Sequence, residues 1–389
     1  MDFGYFLNQN NLGLTKPFQA VVNEGREIAE YCDQNGWHSI WTTEHHFGHE
    51  GLEVCPNPIL MSADLAARTK QIRIGQAANI ITFRHPIHMA EDLAMLDHMS
   101  GGRLEVAVGR GLYPRESTNM NSGADVRQPE VNRALFKESL DIIRKAWTNE
   151  FFSHEGEFFT FPQPGVSFDH ELSPPLPENT DSETGEITSL ALMPRPLQTP
   201  HPPLWQVVDT ERSIAGAGRE GINAMFWIPP TESLVPRFEI YQEAASTARG
   251  EEVPFGQGLA VLRDLFVTDT MAEAEKLASD GILTYMKWVC EFRGLGNHTF
   301  PGETLPETGH KLDLLSYEFL HPRNLLFGTP EFIIEKIEEM KEMLHLETLL
   351  LWSNFPGVDH GAVMNSIQGF TEKVMPHFAE TTAPQPAGV

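Results

Sequence analysis

Cysteine is scarce, basic side chains are heavily outnumbered and long apolar runs are missing. Cys32, Cys55 and Cys290 stand far apart, an odd number with no CxxC pair, which argues against a disulfide framework and against a zinc-thiolate site. A reducing, cytoplasmic setting is expected. Lysine and arginine total 28 against 54 acidic residues, a formal charge of −26, and a field of that sign repels phosphate backbones and anionic lipid. Nucleic acid and membrane surfaces are therefore excluded as partners. No segment approaches the about 18 uninterrupted apolar residues of a membrane span. The opening MDFGYFLNQN has neither a basic leader region nor an apolar run of signal-peptide length, so no export is expected.

What is present is an ordinary globular composition, 41% hydrophobic and 21% charged over 389 residues, enough for a sizeable core. Short β-rich runs alternate with longer segments of helical period, the pattern of βα units and a parallel sheet. Eight strands are read, at Asp2–Phe6, His38–Trp41, Ile72–Ala77, Leu104–Val108, Leu204–Val208, Asn223–Trp227, Gly258–Val267 and Thr348–Trp352. Helical patterns separate them, several opening on proline, which suits a first turn because its missing N–H costs nothing there. The expected fold is a single (β/α)8 TIM barrel over residues 1–378 with two interruptions. Gln163–Pro203, rich in Pro, Ser, Thr and acids, reads as a surface excursion, and Cys290–Arg323, with scattered Gly, Pro and aromatics, as a lid-like insertion. The tail at 379–389 is expected to be disordered.

In such barrels function gathers where strands end. The second strand runs into IWTTEHHFGHEG, dense in titratable groups. A metal site is the obvious rival reading, but adjacent histidines on an extended chain point to opposite faces and no further ligand motif accompanies them. No metal is expected. The fourth strand ends in VGRGLYPRE, where glycines admit close backbone approach and Arg110 can grip a phosphate. The fifth ends in VVDTERS, whose Thr210 and Ser213 stand at a helix N-terminus, a favourable place for anions; helix capping is their plainer role.

Taken together, MDFGYF, SIWTTEHHF, the run from IRIGQAANI to HPIHMAEDLAMLDHMSGGR, VGRGLYPRE, PRPLQTPHPPLW, VVDTERS, FGTPE and VMPHF resemble the bacterial luciferase-like flavin monooxygenases, and most closely the catalytic luciferase subunit and its non-luminous relatives. The stretches keep the family's order and cover nearly the whole chain. The resemblance implies a (β/α)8 barrel that takes reduced FMN from a separate flavin reductase and uses O2 to oxygenate a small organic substrate, usually as a homodimer. It makes His45 catalytic, moving protons during oxygen transfer, with His46, Phe47, Tyr113 and Glu116 around the substrate. It assigns the flavin phosphate to Arg110, the backbone at Leu112, Thr210 and Ser213, with Asp209 leading into the loop. It places Glu44 and Trp227 in the flavin pocket and a cis peptide at Ala77–Ala78 beneath the ring.

One departure concerns Gly109, which stands where luciferase carries cysteine. It leaves more room at the reactive face and weighs against aldehyde luminescence. The excursion is also longer than luciferase's. Two other readings compete: a deazaflavin-dependent hydride-transfer enzyme on the same barrel, and a non-catalytic partner subunit. The first branch usually lacks the paired EHHF and GRGLY runs; the second loses the histidine and arginine kept here as His45 and Arg110.

Overall fold

A computed structural model describes residues 1–310 and 312–379. In chain order the strands are β1 (Asp2–Leu7), β2 (Ser39–Thr42), β3 (Arg73–Ile80), β4 (Leu104–Gly109), β5 (His154–Glu155), β6 (Thr160–Phe161), β7 (Leu204–Val207), β8 (Asn223–Phe226), β9 (Leu259–Val267), β10 (Leu325–Gly328) and β11 (Thr348–Trp352). The helices are α1 (Phe18–Gln34), α2 (Pro58–Arg68), α3 (Pro86–Ser100), α4 (Pro114–Met120), α5 (Pro129–Thr148), α6 (Glu211–Arg219), α7 (Thr231–Arg249), α8 (Met271–Arg293), α9 (Tyr317–Asn324), α10 (Pro330–Leu344), α11 (His360–Lys373) and α12 (Met375–Phe378).

Parallel pairing runs β1–β2–β3–β4–β7–β8–β9–β11 and returns from β11 to β1. This is the closed eight-stranded (β/α)8 barrel expected from the alternation. The period of two explains how it holds together. On β1, Phe3, Tyr5 and Leu7 face the helices, as do Leu349 and Leu351 on β11. Their neighbours Phe6, Leu350 and Trp352 belong to the second apolar cluster, inside the barrel. Trp41 and Trp205 meet there edge to face at 5.8 Å. Gly75 makes that possible, since a Cβ on it would lie 2.2 Å from the Trp41 ring. Trp352 packs edge to face on Tyr285 at 4.6 Å, so the upper interior is aromatic.

The two interruptions differ from their sequence readings in detail. The excursion begins earlier, with the antiparallel pair β5–β6 directly after α5, and is otherwise irregular and mostly exposed. The lid-like segment is not one continuous loop. Its first four residues complete α8, and its end forms α9, which keeps its helix although Pro322 lies inside it. Leu295, His298, Leu315 and Leu320 are buried, and Arg323 stacks on Phe319 with 4.0 Å to the ring centroid. A ninth strand that the sequence reading lacked, β10, follows α9 and pairs with the C-terminal half of β9. Of the expected tail, all but Ala379 lies outside the described residues. No helix among the described residues is long and apolar enough to cross a membrane.

Candidate active site

The loop after β2 carries the titratable cluster and doubles back on itself. His45 N–H donates to the Cys55 carbonyl at 2.9 Å, Val54 N–H to Gln9 at 2.9 Å, and Asn11 N–H to Gly51 at 2.7 Å. Gly51 has φ +83°, and a Cβ there would lie 1.9 Å from the Asn11 carbonyl oxygen. Glycine is the residue that fits. The reversal brings Glu53 against His45.

His45 lies between two carboxylates: Nε2 is 3.3 Å from Glu53 Oε1, and Nδ1 is 3.3 Å from Glu116 Oε1. Burial pushes the imidazole pKa down. The charge of Glu53, the hydrogen bond and charge of Glu116, and the more distant Glu44 outweigh it, and the pKa rises to about 9. Glu53 also accepts the Tyr285 hydroxyl at 2.6 Å and the Tyr113 hydroxyl at 3.3 Å, while the Trp288 indole N–H donates to Tyr113 at 3.0 Å. Burial and then the Glu53 charge hold both tyrosines well above the usual phenol range. They act as hydrogen-bond donors.

These groups line a cavity of ≈ 240 Å³ at the C-terminal ends of the strands. One side is apolar, with Ala77, Ala78, Met225, Leu262 and Val289; the Ala77–Ala78 peptide is cis. Trp227 closes another side, its indole N–H donating to Asp264 at 3.4 Å. Asp264 is fully buried, and burial raises its pKa to about 7 against the opposing Trp227 bond and Arg263 charge. Gly109 and Gly111 keep the fourth wall thin: a Cβ on Gly109 would sit 3.2 Å from Ala78 Cβ, and one on Gly111 2.9 Å from the Phe83 ring.

Arg110 and Ser213 line the cavity and also a second one of ≈ 440 Å³ between α5 and α6, which carries Arg133, Lys137 and Arg212 beside their partners Glu130 and Asp141. Thr210 and Ser213 cap α6 reciprocally: Ser213 N–H donates to Thr210 Oγ1 at 3.3 Å, and Thr210 N–H to Ser213 Oγ at 3.1 Å. Asp209 pairs with Arg293 at 3.1 Å.

The structure thus gathers Glu44, His45, Ala77, Ala78, Arg110, Leu112, Tyr113, Glu116, Asp209, Ser213 and Trp227 around one cavity, with Thr210 on the adjoining one. His46 and Phe47 are the exceptions. His46 turns away and pairs with Glu44 at 3.1 Å, and Phe47, at φ +60°, is half exposed; neither lines the cavity, so their expected place around the substrate is corrected. Glu44 is itself a clasp, holding Arg84 at 3.5 Å and the Ile80 N–H at 2.8 Å. Glu53, Tyr285, Trp288 and Arg293 escaped the sequence reading. A lone acid in the apolar stretch LEVC was the available signal for Glu53. No group of three or more His, Cys, Asp and Glu that could hold a metal occurs among the described residues.

The sequence profile of luciferase-like monooxygenases matches residues 1–346. The chain belongs to that family. Membership makes this luciferase-like monooxygenase an enzyme. The oxygenase component of a flavin-dependent trigonelline monooxygenase from Acinetobacter baylyi is 25% identical over 98% of this chain and 96% of its own length. Two solved structures share the fold. The monooxygenase RslO1 from Streptomyces bottropensis superposes with TM-score 0.77 at 24% identity, covering 97% of this chain and 100% of its own. The oxygenating constituent of 3,6-diketocamphane monooxygenase from Pseudomonas putida, solved with FMN, does so with TM-score 0.75 at 22% identity, covering 99% of each chain.

Proposed function

We propose that this luciferase-like monooxygenase is the oxygenase component of a two-component system, which accepts reduced FMN from a separate flavin reductase and inserts one atom of O2 into a small apolar or carbonyl substrate. The observation that carries this reading is the polarity of a single cavity: Arg110 and the α6 N-terminus at one end, an apolar floor at Ala77–Ala78, and His45 between two carboxylates at the other. The full-length similarity to an oxygenase component supports it.

The residues suit the cofactor. Arg110, with the backbone at Leu112 and the α6 N-terminus at Thr210 and Ser213, would hold the phosphate, since a fixed guanidinium and the positive end of a helix dipole favour a dianion. Ala77, Ala78 and the side-chain-free face of Gly109 would admit a flat ring, with Trp227 and Glu44 beside it. When bound, reduced flavin supplies the two electrons that let one oxygen atom enter the substrate and the other leave as water. The protein excludes bulk water with Tyr285, Trp288 and Val289 of α8 and manages protons through His45. We further infer a cytoplasmic enzyme, in keeping with three buried cysteines that form no disulfide, working as a homodimer.

Anaerobic titration tests the cofactor: reduced FMN should bind more tightly than oxidised FMN. On exposure to O2 its reoxidation should differ from that of free flavin. An absence of reduced-FMN binding, or exclusive binding of a deazaflavin, would overturn the proposal.

A further inference from the structure

A neutral imidazole has one N–H and one lone pair. In this protein both His45 nitrogens face carboxylate oxygens at 3.3 Å, so in the neutral ring one lone pair would oppose another. Neither carboxylate is free to turn away. Glu53 Oε1 also accepts from Tyr285 and Tyr113, and Glu116 Oε1 accepts the His46 backbone N–H at 2.8 Å. Both side chains are buried, Glu53 with 4% and Glu116 with 2% of its surface exposed, where unpaired charge is costly. Among the described residues no lysine or arginine forms an ion pair with either. The nearby guanidiniums are committed elsewhere, Arg115 to Glu50 at 2.8 Å, Arg84 to Glu44 at 3.5 Å and Arg293 to Asp209 at 3.1 Å.

We propose that Glu53 is a positioning residue acting through His45: together with Glu116 it holds the ring doubly protonated and fixed at the cavity wall, so that His45 enters the reaction as a proton donor and not as a base. The inference rests on the oxygenase reading only for the reaction; the charge state belongs to the resting protein. The groups facing His45 agree with it. The β2 loop offers Glu53 and, farther off, Glu44; α4 offers Glu116, and Tyr113 just before it packs its ring 5.6 Å from the imidazole; Tyr285 of α8 reaches Glu53, and the protons of both tyrosines are held too firmly to compete. Donation leaves the lone pair against a carboxylate, an unfavourable arrangement that drives rapid reprotonation. Glu53 also links His45 to α8 through Tyr285, so movement of that helix would change the acid.

The experiment is a ¹⁵N-histidine NMR titration of the flavin-free protein, with His45 assigned by its disappearance in His45→Gln. Both ring nitrogens should be protonated at pH 8, with a midpoint well above the ordinary imidazole value. Glu53→Gln, which keeps the volume and an acceptor for Tyr285, should lower the proton affinity at least ~10-fold, change reduced-FMN affinity little, and move the alkaline limb of the turnover profile to lower pH. Purely structural support from Glu53 would leave the His45 midpoint unchanged, and that result overturns the proposal. So does a wild-type midpoint near 6.5, a measurement that does not depend on Glu53→Gln. Either outcome leaves the oxygenase reading standing, whereas failure to bind reduced FMN strikes that reading alone.

Discussion

Arg110 and Asn132 hold each other in place: the guanidinium donates to Asn132 Oδ1 at 2.9 Å, and Asn132 Nδ2 donates to the Arg110 carbonyl at 3.0 Å. A flexible side chain is thereby aimed before any ligand arrives, and pre-organisation of this kind saves ordering entropy on binding. Arg110→Ala should weaken reduced FMN by roughly 10²-fold, in line with losing a charge-assisted contact of about 2–3 kcal/mol. Riboflavin, which lacks the phosphate, should bind nearly as before. Asn132→Leu should show a smaller loss with the same selectivity. Calorimetric titration of both ligands decides the matter, and equal losses for the two would make Arg110 a structural residue.

The β2 loop depends on Gly51 for its reversal. Gly51→Ala places a methyl group against the Asn11 carbonyl at positive φ, a strain that the loop cannot relieve without separating from the segment after β1. A loss of roughly 2–4 kcal/mol is expected. Gly36→Ala, also at positive φ but with open space around the Cβ, should cost only about 1 kcal/mol. Urea unfolding of the pair separates clash from backbone preference.

These two loops show what the sequence could and could not reveal. The barrel was legible because strand alternation is a local signal: Phe3, Tyr5 and Leu7 point one way whatever the rest of the chain does. β10 was missed because LLFG is four residues long and follows a helix containing proline. Arg110 announced itself between two glycines at a strand end. Glu53 did not, since its meaning comes from Tyr285, 232 residues away in sequence, and Tyr285 sits on an amphipathic helix where an aromatic reads as core. The cis peptide at Ala77–Ala78 came from the resemblance; nothing in the residue types alone requires it.

Proteolysis should follow the burial pattern. A lid-like Cys290–Arg323 would be expected to take the first cut, but that segment is anchored by Leu295, Leu315, Leu320 and the stacked Arg323. Residues 165–176 are exposed throughout, Leu172 among them at 87%. Limited digestion followed by mass spectrometry should therefore show early cleavage in the excursion, indifferent to flavin. A slower cut between Phe300 and His310 should be suppressed by flavin, because the preceding helix α8 lines the cavity. Flavin protection of the excursion would contradict this order.

His45 separates binding from chemistry. It lines the first cavity but not the second, which Arg110, Thr210 and Ser213 share, so His45→Ala should retain reduced FMN while turnover falls by ~10²–10⁴, the usual worth of a positioned acid or base. Should the residue only pack the barrel mouth, stability and flavin affinity would drop together, and His45→Gln would restore product formation. Steady-state kinetics beside flavin titration distinguishes the two.

The same histidine gives the fold a pH dependence whose sign is fixed by its environment. Burial opposes the charged ring, yet the neighbouring glutamates raise its pKa to about 9 from an ordinary 6.5. Between those values the folded protein binds a proton that the unfolded chain releases, so folding stability must fall as pH rises. The contribution is fully present below about pH 6.5 and is lost as pH climbs through about 9; one group shifted this far supplies at most roughly 3 kcal/mol. Urea unfolding between pH 6 and 9.5 should show wild-type protein losing more stability than His45→Gln over that interval. Parallel curves would mean that folding leaves the proton affinity of His45 unchanged.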